Sequence, residues 1–329
     1  LDSDVPVTEP IVMLGKEIMP QWGHRSCRAL RIWHIITRSR CGEVVTALPG
    51  GGSMADPRPA PNLGSHPAKI QAQATDRPDV LPVQILPQPN DETCGQTCLH
   101  AVYRFWGEDI GLDAVIESAR SLNITGTGRG TLAVMLGIHA LTRAYRATLY
   151  TFNLNVFDPT WFAEDCSAAP AFLTAKLREQ AEVKRDEDHR FRVASDSYLE
   201  FLRLGGAICL RDLTSSLIAG FIRDGLPVLT GLSATYLYRC AREYGPTDDY
   251  DDVRGVPIGH FVVIHGYDET TDRVTIADPL ANNPGFESQR YTVSMTRLVP
   301  AIMLGVLTYD ANLLVIEPGD GAKLGQVCR

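Results

Sequence analysis

Nothing in the 329 residues reads as a membrane span. Roughly 18 consecutive apolar residues are needed, and the longest apolar run, Leu298 to Leu307, is shorter and carries Pro300. Positive charge is not in excess either. Lys and Arg number 31 against 39 Asp and Glu, a net charge of −8. The basic footprint of a nucleic-acid binder and the polybasic patch of a membrane anchor are therefore both missing. The eight cysteines include no Cys-x-x-Cys pair, and the eight histidines do not cluster as ligands, so neither a metal nor another cofactor is expected. The beginning lacks a charged head followed by an apolar core and a small-residue cleavage site. No secretory signal is therefore expected, and the thiols are expected to stay reduced in a cytoplasm. There is no internal repeat.

What is present is ordinary globular composition: 44% hydrophobic and 21% charged residues, enough for one sizeable core. Residues 1–53 show no sustained period and end in Gly50-Gly51-Gly52-Ser53 before Met54. They are read as a non-native or disordered extension, with Met54 the candidate true start. A Pro-rich lead-in follows over 54–78, a folded domain over 79–320, and a short tail over 321–329.

Within that domain, Val80 to Leu86 suits a short strand. Asp91 to Trp106 suits a helix, because Cys98, Ala101, Val102, Phe105 and Trp106 recur at helical spacing, with Asp91 and Thr93 as caps and Gly107 as terminator. Helices are expected at Leu112 to Leu122 and Thr131 to Arg143, the second after the glycine-rich turn 126–130, and a strand at Ala147 to Phe152. The region 155–212 reads as mixed and mostly helical, with a charged run at 184–188. An amphipathic helix spans Leu213 to Asp224. Strand-like runs follow at Pro227 to Leu232, His260 to Tyr267, Arg273 to Ala277 and Leu313 to Ile316. Helices first and strands later is an α+β order.

Three short motifs could carry chemistry. In Gln88-Pro89-Asn90-Asp91-Glu92-Thr93-Cys94-Gly95-Gln96 a cysteine sits at a helix start, where orphan N–H groups and the helix dipole favour a thiolate. Gly95, without a Cβ, would let a substrate backbone approach. Cys98, on the apolar face, reads as packing. In Gly259-His260-Phe261-Val262-Val263-Ile264-His265, a histidine opens an apolar strand. Strand side chains alternate, so His260 and His265 point opposite ways and one at most faces a given cysteine. In Val274-Thr275-Ile276-Ala277-Asp278-Pro279, an aspartate ends a strand. There it could fix a histidine tautomer or simply open a turn. Asp248 to Asp252 concentrates carboxylates, without the spacing of a calcium loop. That run is read as solvated, against a sharper reading in which it selects a basic substrate. Most of the aromatic set Trp161, Phe162, Tyr236, Tyr238 and Tyr244 is read as core. Tyr236 and Tyr238 could hold a peptide.

Together the Gln-to-Cys-Gly motif, the Gly-His-Phe-Val-Val strand with Gly-Tyr-Asp behind it, and the strand ending Ala-Asp-Pro resemble the C39-like cysteine peptidases. The resemblance covers roughly 80–150 and 213–280. It implies a papain-like α+β fold, with N-terminal helices packed on a mostly antiparallel C-terminal sheet. It also implies a peptidase acting on a peptide or isopeptide bond through an acyl-enzyme. Cys94 would be the nucleophile, His260 the base and Asp278 its orienter. Gln88 and the Cys94 N–H would form the oxyanion hole, and Gly95, Gly259 and Tyr236 would meet a peptide or protein substrate. Best-known members are peptidase domains of exporters that cut leader peptides. Here the span from Cys94 to His260 is much longer than in those domains, so a helical insertion is expected at about 152–212. A stand-alone member without a transporter is expected, located in the cytoplasm, without membrane insertion. Two alternatives remain: an acyltransferase or amide-forming enzyme on the same frame, and a non-catalytic peptide-binding protein.

Overall fold

The computed structural model describes residues 80–122, 131–164, 167–184, 189–308 and 310–319, all within one folded unit, Ala72–Arg329. The expectations for 1–53, 54–78, the 126–130 turn, most of the 184–188 charged run and the tail lie outside the described residues.

Helix α1 (Cys94–Phe105) starts three residues later than its periodicity suggests. The reason is local. Asn90 turns the chain on itself: its side-chain Oδ1 accepts the Glu92 N–H, and its carbonyl accepts the Thr93 hydroxyl. Asp91 and Glu92 are thereby held in a turn, and Cys94 becomes the first helical residue. Residues 94–103 of α1 are all buried, the signature of a central helix rather than a surface one. Gly107, at φ +80, ends the turn that follows. Next come α2 (Leu112–Ser121), α3 (Ala133–Thr142) and β1 (Tyr145–Thr151), close to their expected positions.

The stretch 152–212 holds a 3-10 turn (Pro159–Trp161), α4 (Pro170–Val183), α5 (His189–Arg203) and an unforeseen strand, β2 (Ala207–Cys209). After it come α6 (Ser215–Arg223), β3 (Val228–Ser233), α7 (Ala234–Tyr238), β4 (Glu243–Tyr244), β5 (Asp249–Tyr250), β6 (Gly259–Asp268) and β7 (Arg273–Ala277). The described chain ends with β8 (Arg290–Ser294), α8 (Met295–Met303), a second 3-10 turn (Leu304–Thr308) and β9 (Asn312–Pro318). The segment expected as a strand at 80–86 forms no strand; it meets β6 through a bridge, Val80 to Gly266, and the Leu81 N–H bond to the His265 carbonyl at 2.7 Å. Among the described residues no helix is long and apolar enough to cross a membrane.

One sheet organises the fold, in the order β2-β1-β9-β3-β6-β7-β8. All its pairings are antiparallel except β1 with β2. β3 is buried along its whole length, and β6 from His260 to Gly266. That matches their near-continuous apolar sequences, since a strand covered on both faces has no need to alternate. α1 and α6 pack on β6, α3 on β9, and α8 on β3. The fold is thus α+β, with helices on a mostly antiparallel mixed sheet. β8 and α8 escaped the sequence reading for different reasons. β8 alternates exposed and buried positions over only five residues, and α8 contains Pro300, which argues against a helix by removing a backbone donor.

The 152–212 stretch is built into this core rather than hung outside it. α5 packs against α3, and the fully buried Phe201 ring fills the space beside two glycines. A Cβ on Gly137 would lie 2.6 Å from that ring, and one on Gly206 would lie 2.4 Å away. Gly137 sits inside α3, where alanine would ordinarily be favoured by about 1 kcal/mol. Gly137→Ala is nevertheless expected to destabilise the protein by about 1–3 kcal/mol, the usual range for overpacking. Thermal unfolding should also show recovery when Gly137→Ala is combined with Phe201→Leu. Additive losses in the double variant would mean that the ring is not the obstacle.

Candidate active site

Cys94 occupies the first position of α1, so its own N–H and those just after it have no partner within the helix. Its free thiol is largely buried, with 8% of the residue exposed. His260 is the second residue of β6 and sits opposite Leu232 of β3. Asp278 directly follows β7, and its N–H donates to the Gln289 carbonyl at 2.8 Å. These elements bring the His260 Nε2 within 2.8 Å of Asp278 Oδ1, with both residues buried. With Nε2 so engaged, Nδ1 is the ring nitrogen left for a thiol, and Cys94 is among the groups that raise the His260 pKa.

Asp278 is fully buried and holds more than the histidine. Its Oδ1 also accepts the Leu280 N–H at 2.9 Å. Its Oδ2 accepts two phenols, Tyr238 and Tyr291, each at 2.7 Å. Burial pushes the carboxyl pKa up, but the His260 charge and hydrogen bond, with those of the two tyrosines, outweigh it and leave the pKa lowered. Burial likewise disfavours the His260 cation. The Asp278 charge and hydrogen bond, followed by those of Cys94, reverse this and raise the imidazole to about 10. Both tyrosines are raised, first by burial and then by the Asp278 charge, so they stay protonated donors. Phe286 stacks on Tyr291, with centroids 3.8 Å apart, and meets Tyr238 edge-on.

Tyr238 therefore faces the aspartate and does not hold a peptide. Tyr291 was not foreseen; the only hint in the sequence was a tyrosine in a short alternating run. Other candidates separate clearly. His265 is buried with Nδ1 bonded to the Leu81 carbonyl at 2.8 Å, and burial lowers its pKa. Asp268 is taken up by Thr270 and Thr271, and Asp272 by the Tyr267 hydroxyl. The Cys98 thiol donates to the Phe261 carbonyl, and burial followed by the nearby Cys94 and Asp278 charges raises its pKa well above the ordinary range. That is a packing cysteine. His139 makes a second buried network, with Tyr103 at Nδ1 and Ser118 at Nε2. Burial and then Arg143 lower it to about 4, so it works as a neutral bridge between helices.

Gln88 is half-buried, and its N–H donates to the Pro279 carbonyl at 2.9 Å, one residue past Asp278. Its side-chain oxygen is buried without a hydrogen-bond partner. Gly95 does not open toward a substrate. It is buried, and an added Cβ would meet Leu136 at 3.1 Å and Phe261 at 3.2 Å, so its missing side chain serves close packing of α1. Gly259 is exposed at the start of β6, opposite Ser233. Tyr236 is exposed on α7, with its N–H donating to the Ser233 hydroxyl. In the acidic run, Asp251 accepts the N–H groups of Val253 and Arg254 and pairs with the Arg254 side chain. Asp249 accepts from Thr247. These carboxylates close their own turn in solvent.

Residues 197–298 match the model of the Peptidase_C39 like family, a stretch that holds His260 and Asp278 but not Cys94. Among solved structures, the chain is similar to the peptidase domain of Streptococcus ComA, a bi-functional ABC transporter involved in a quorum sensing pathway. Identity is 11%, coverage is 72% of this chain and 98% of that one, and the TM-score is 0.32. A Bacillus anthracis protein described as a C39-like peptidase is 15% identical, with 72% of this chain and 96% of that one covered and a TM-score of 0.32. No curated protein matches. Over residues 197–298, then, the chain is a match to the Peptidase_C39 like family, the family that its cysteine, histidine and aspartate motifs resemble.

Proposed function

We propose that the protein is a cysteine peptidase that hydrolyses peptide or isopeptide bonds through Cys94, His260 and Asp278. One observation carries the reading: a buried imidazole bonded to a buried carboxylate, with a helix-start thiol among the groups that raise its pKa. This is the nucleophile, base and orienter relation required for covalent catalysis.

In this mechanism the Cys94 proton rests on His260 Nδ1, and the sulfur, as the thiolate of that ion pair, adds to the substrate carbonyl carbon. The carbonyl oxygen becomes an oxyanion, received by the Cys94 N–H and the Gln88 amide. His260 returns its proton to the substrate nitrogen, the C–N bond breaks, and the amine leaves a thioester on Cys94. His260 then takes a proton from water, and the hydroxide adds to the thioester. The C–S bond breaks to release the acid and restore the thiol. Asp278 stays charged throughout, holding the ring by Nε2 and stabilising the imidazolium. Gln88 suits its role because Pro87 and Pro89 stiffen its backbone. Its N–H is tied to the Pro279 carbonyl, beside Asp278, which anchors it next to the proposed site.

Thiol-reactive probe labelling followed by site mapping tests the nucleophile without knowledge of the substrate. Cys94 should label first among the eight cysteines, and Cys94→Ala should abolish hydrolysis of a peptide library while leaving the melting temperature near that of the parent. Preferential labelling of Cys98 or Cys209 would contradict the assignment. Gln88→Ala should cost about 10²–10³ in turnover while barely changing alkylation of Cys94, since alkylation develops no oxyanion. Full turnover in that variant removes Gln88 from the site.

The tyrosines give a pH test. Their hydrogen bonds help to lower the Asp278 pKa, so removing them raises it, and the carboxylate is neutralised earlier as pH falls. In Tyr238→Phe/Tyr291→Phe the acid limb of kcat/KM should move to higher pH. The melting temperature should also drop, because Oδ2 is left buried and unpaired at a cost of about 1–3 kcal/mol. A pH profile superimposable on the parent would show that the phenols do not act on Asp278.

A further inference from the structure

A cavity of about 670 Å³ lies at the end of β3, lined by Ser233, Tyr236, Arg239, Ser294, Thr296 and Arg297 among others. Two guanidinium groups share it. Among the described residues neither Arg239 nor Arg297 has an acidic partner, and Nη2 of Arg297 is buried without any hydrogen bond. Burial, and then the like charge of Arg239, hold Arg297 below the usual arginine range. Two cations lining one cavity, one with a desolvated and unsatisfied donor, are mutually unfavourable. An anion that accepts from both relieves the repulsion and the missing hydrogen bond together.

The surroundings narrow the anion's chemistry. Hydroxyls of Ser294 and Thr296 stand 2.9 Å apart on the rim, at the start of the nine-residue α8, whose N-cap residue makes no side-chain cap bond. The positive end of that helix adds to the field. Apart from Ser233 and Thr235, whose hydroxyl already accepts the Ile258 N–H, the remaining lining is apolar: Pro257, Leu304, Leu307 and the Tyr236 ring, with Leu307 and Tyr236 exposed at 57% and 42%. A small inorganic ion would leave those surfaces unused. A carboxylate carried on an apolar body covers them while its oxygens meet the arginines.

The cavity also adjoins the candidate catalytic residues through the chain. Ser233 pairs with Gly259, the neighbour of His260. On α7, Tyr236 lines the cavity while Tyr238, two residues on, donates to Asp278. We propose that this two-arginine cavity binds a carboxylate of the peptide substrate, an acidic side chain or a free C-terminus, beside an apolar residue; the word substrate rests on the peptidase reading above.

Isothermal titration calorimetry on the full chain tests this with four probes: N-acetyl-leucine, N-acetyl-glutamate α-amide, N-acetyl-leucine amide and inorganic phosphate. Heat is expected from at least one of the two carboxylates and none from the neutral amide. The first carboxylate stands for a chain terminus and the second for a side chain, so the stronger binder names the source. Arg239→Gln, at an exposed position, and Arg297→Gln should each weaken that binding about tenfold or more, as loss of a charge-assisted hydrogen bond does. Circular dichroism checks that each variant is folded. Because the heats need no turnover, a protein that hydrolyses nothing can still bind, and the two readings fail separately. Equal binding by parent and Arg239→Gln, binding of phosphate alone, or no heat from either carboxylate overturns the proposal.

Discussion

The Asp278 carboxylate is the point on which the candidate site depends. An isolated buried charge is untenable in a protein interior, so the chain must surround this one with donors. It does so with four: the His260 ring, the Leu280 N–H, and the hydroxyls of Tyr238 and Tyr291. Each comes from a different stretch of the chain: β6, the turn after β7, α7 and β8. A fifth stretch joins through the backbone, since the Gln88 N–H is held by the Pro279 carbonyl. The requirement to satisfy one charge therefore fixes the relative positions of nearly everything that the proposed chemistry uses.

A second buried acid shows that environment, not residue type, sets the charge. Asp310 accepts from the Ala133 N–H at the start of α3 and from Asn312, both through Oδ1. Its other oxygen lies where a Cβ on Gly231 would come within 2.5 Å, so only glycine fits there. Among the described residues no cation pairs with it, and burial raises its pKa to about 7. Asp278, with an imidazolium and two phenols, is lowered instead. The first acid caps a helix inside the core, and the second keeps the charge that holds the His260 ring.

The long stretch between the cysteine and the histidine is integral to the core by the same logic of close contact. Phe201 occupies the room left by Gly137 and Gly206, and β2 extends the sheet beside β1. The sheet edge and α3 are thus both met by residues that the length of the Cys94-to-His260 span had suggested were a helical insertion.

Local pattern was enough for what depends on neighbours in sequence. The helical spacing of Cys98, Ala101, Val102 and Phe105 marked α1, and the apolar runs marked β3, β6, β7 and β9, because burial on one or both faces imposes a period that a chain segment carries by itself. The alternation of a strand was also enough to separate His260 from His265. Other features depend on distant residues meeting, and no local pattern records them. The late start of α1 came from an Asn90 turn that satisfies its own donors before the helix can. Gly95 looked open to substrate and is closed by Leu136 and Phe261. Tyr238 and Tyr291 carry no motif, and they matter only because the sheet delivers a buried carboxylate to their hydroxyls. Arg239 and Arg297, 58 positions apart in the numbering, share a cavity only because α7 and α8 both close over the end of β3. The sequence by itself determined which segments bury themselves and which side chains are candidates for thiol chemistry. The tertiary structure decided which of them share charge and hydrogen bonds, because those interactions act over a few ångströms of space and not along the chain.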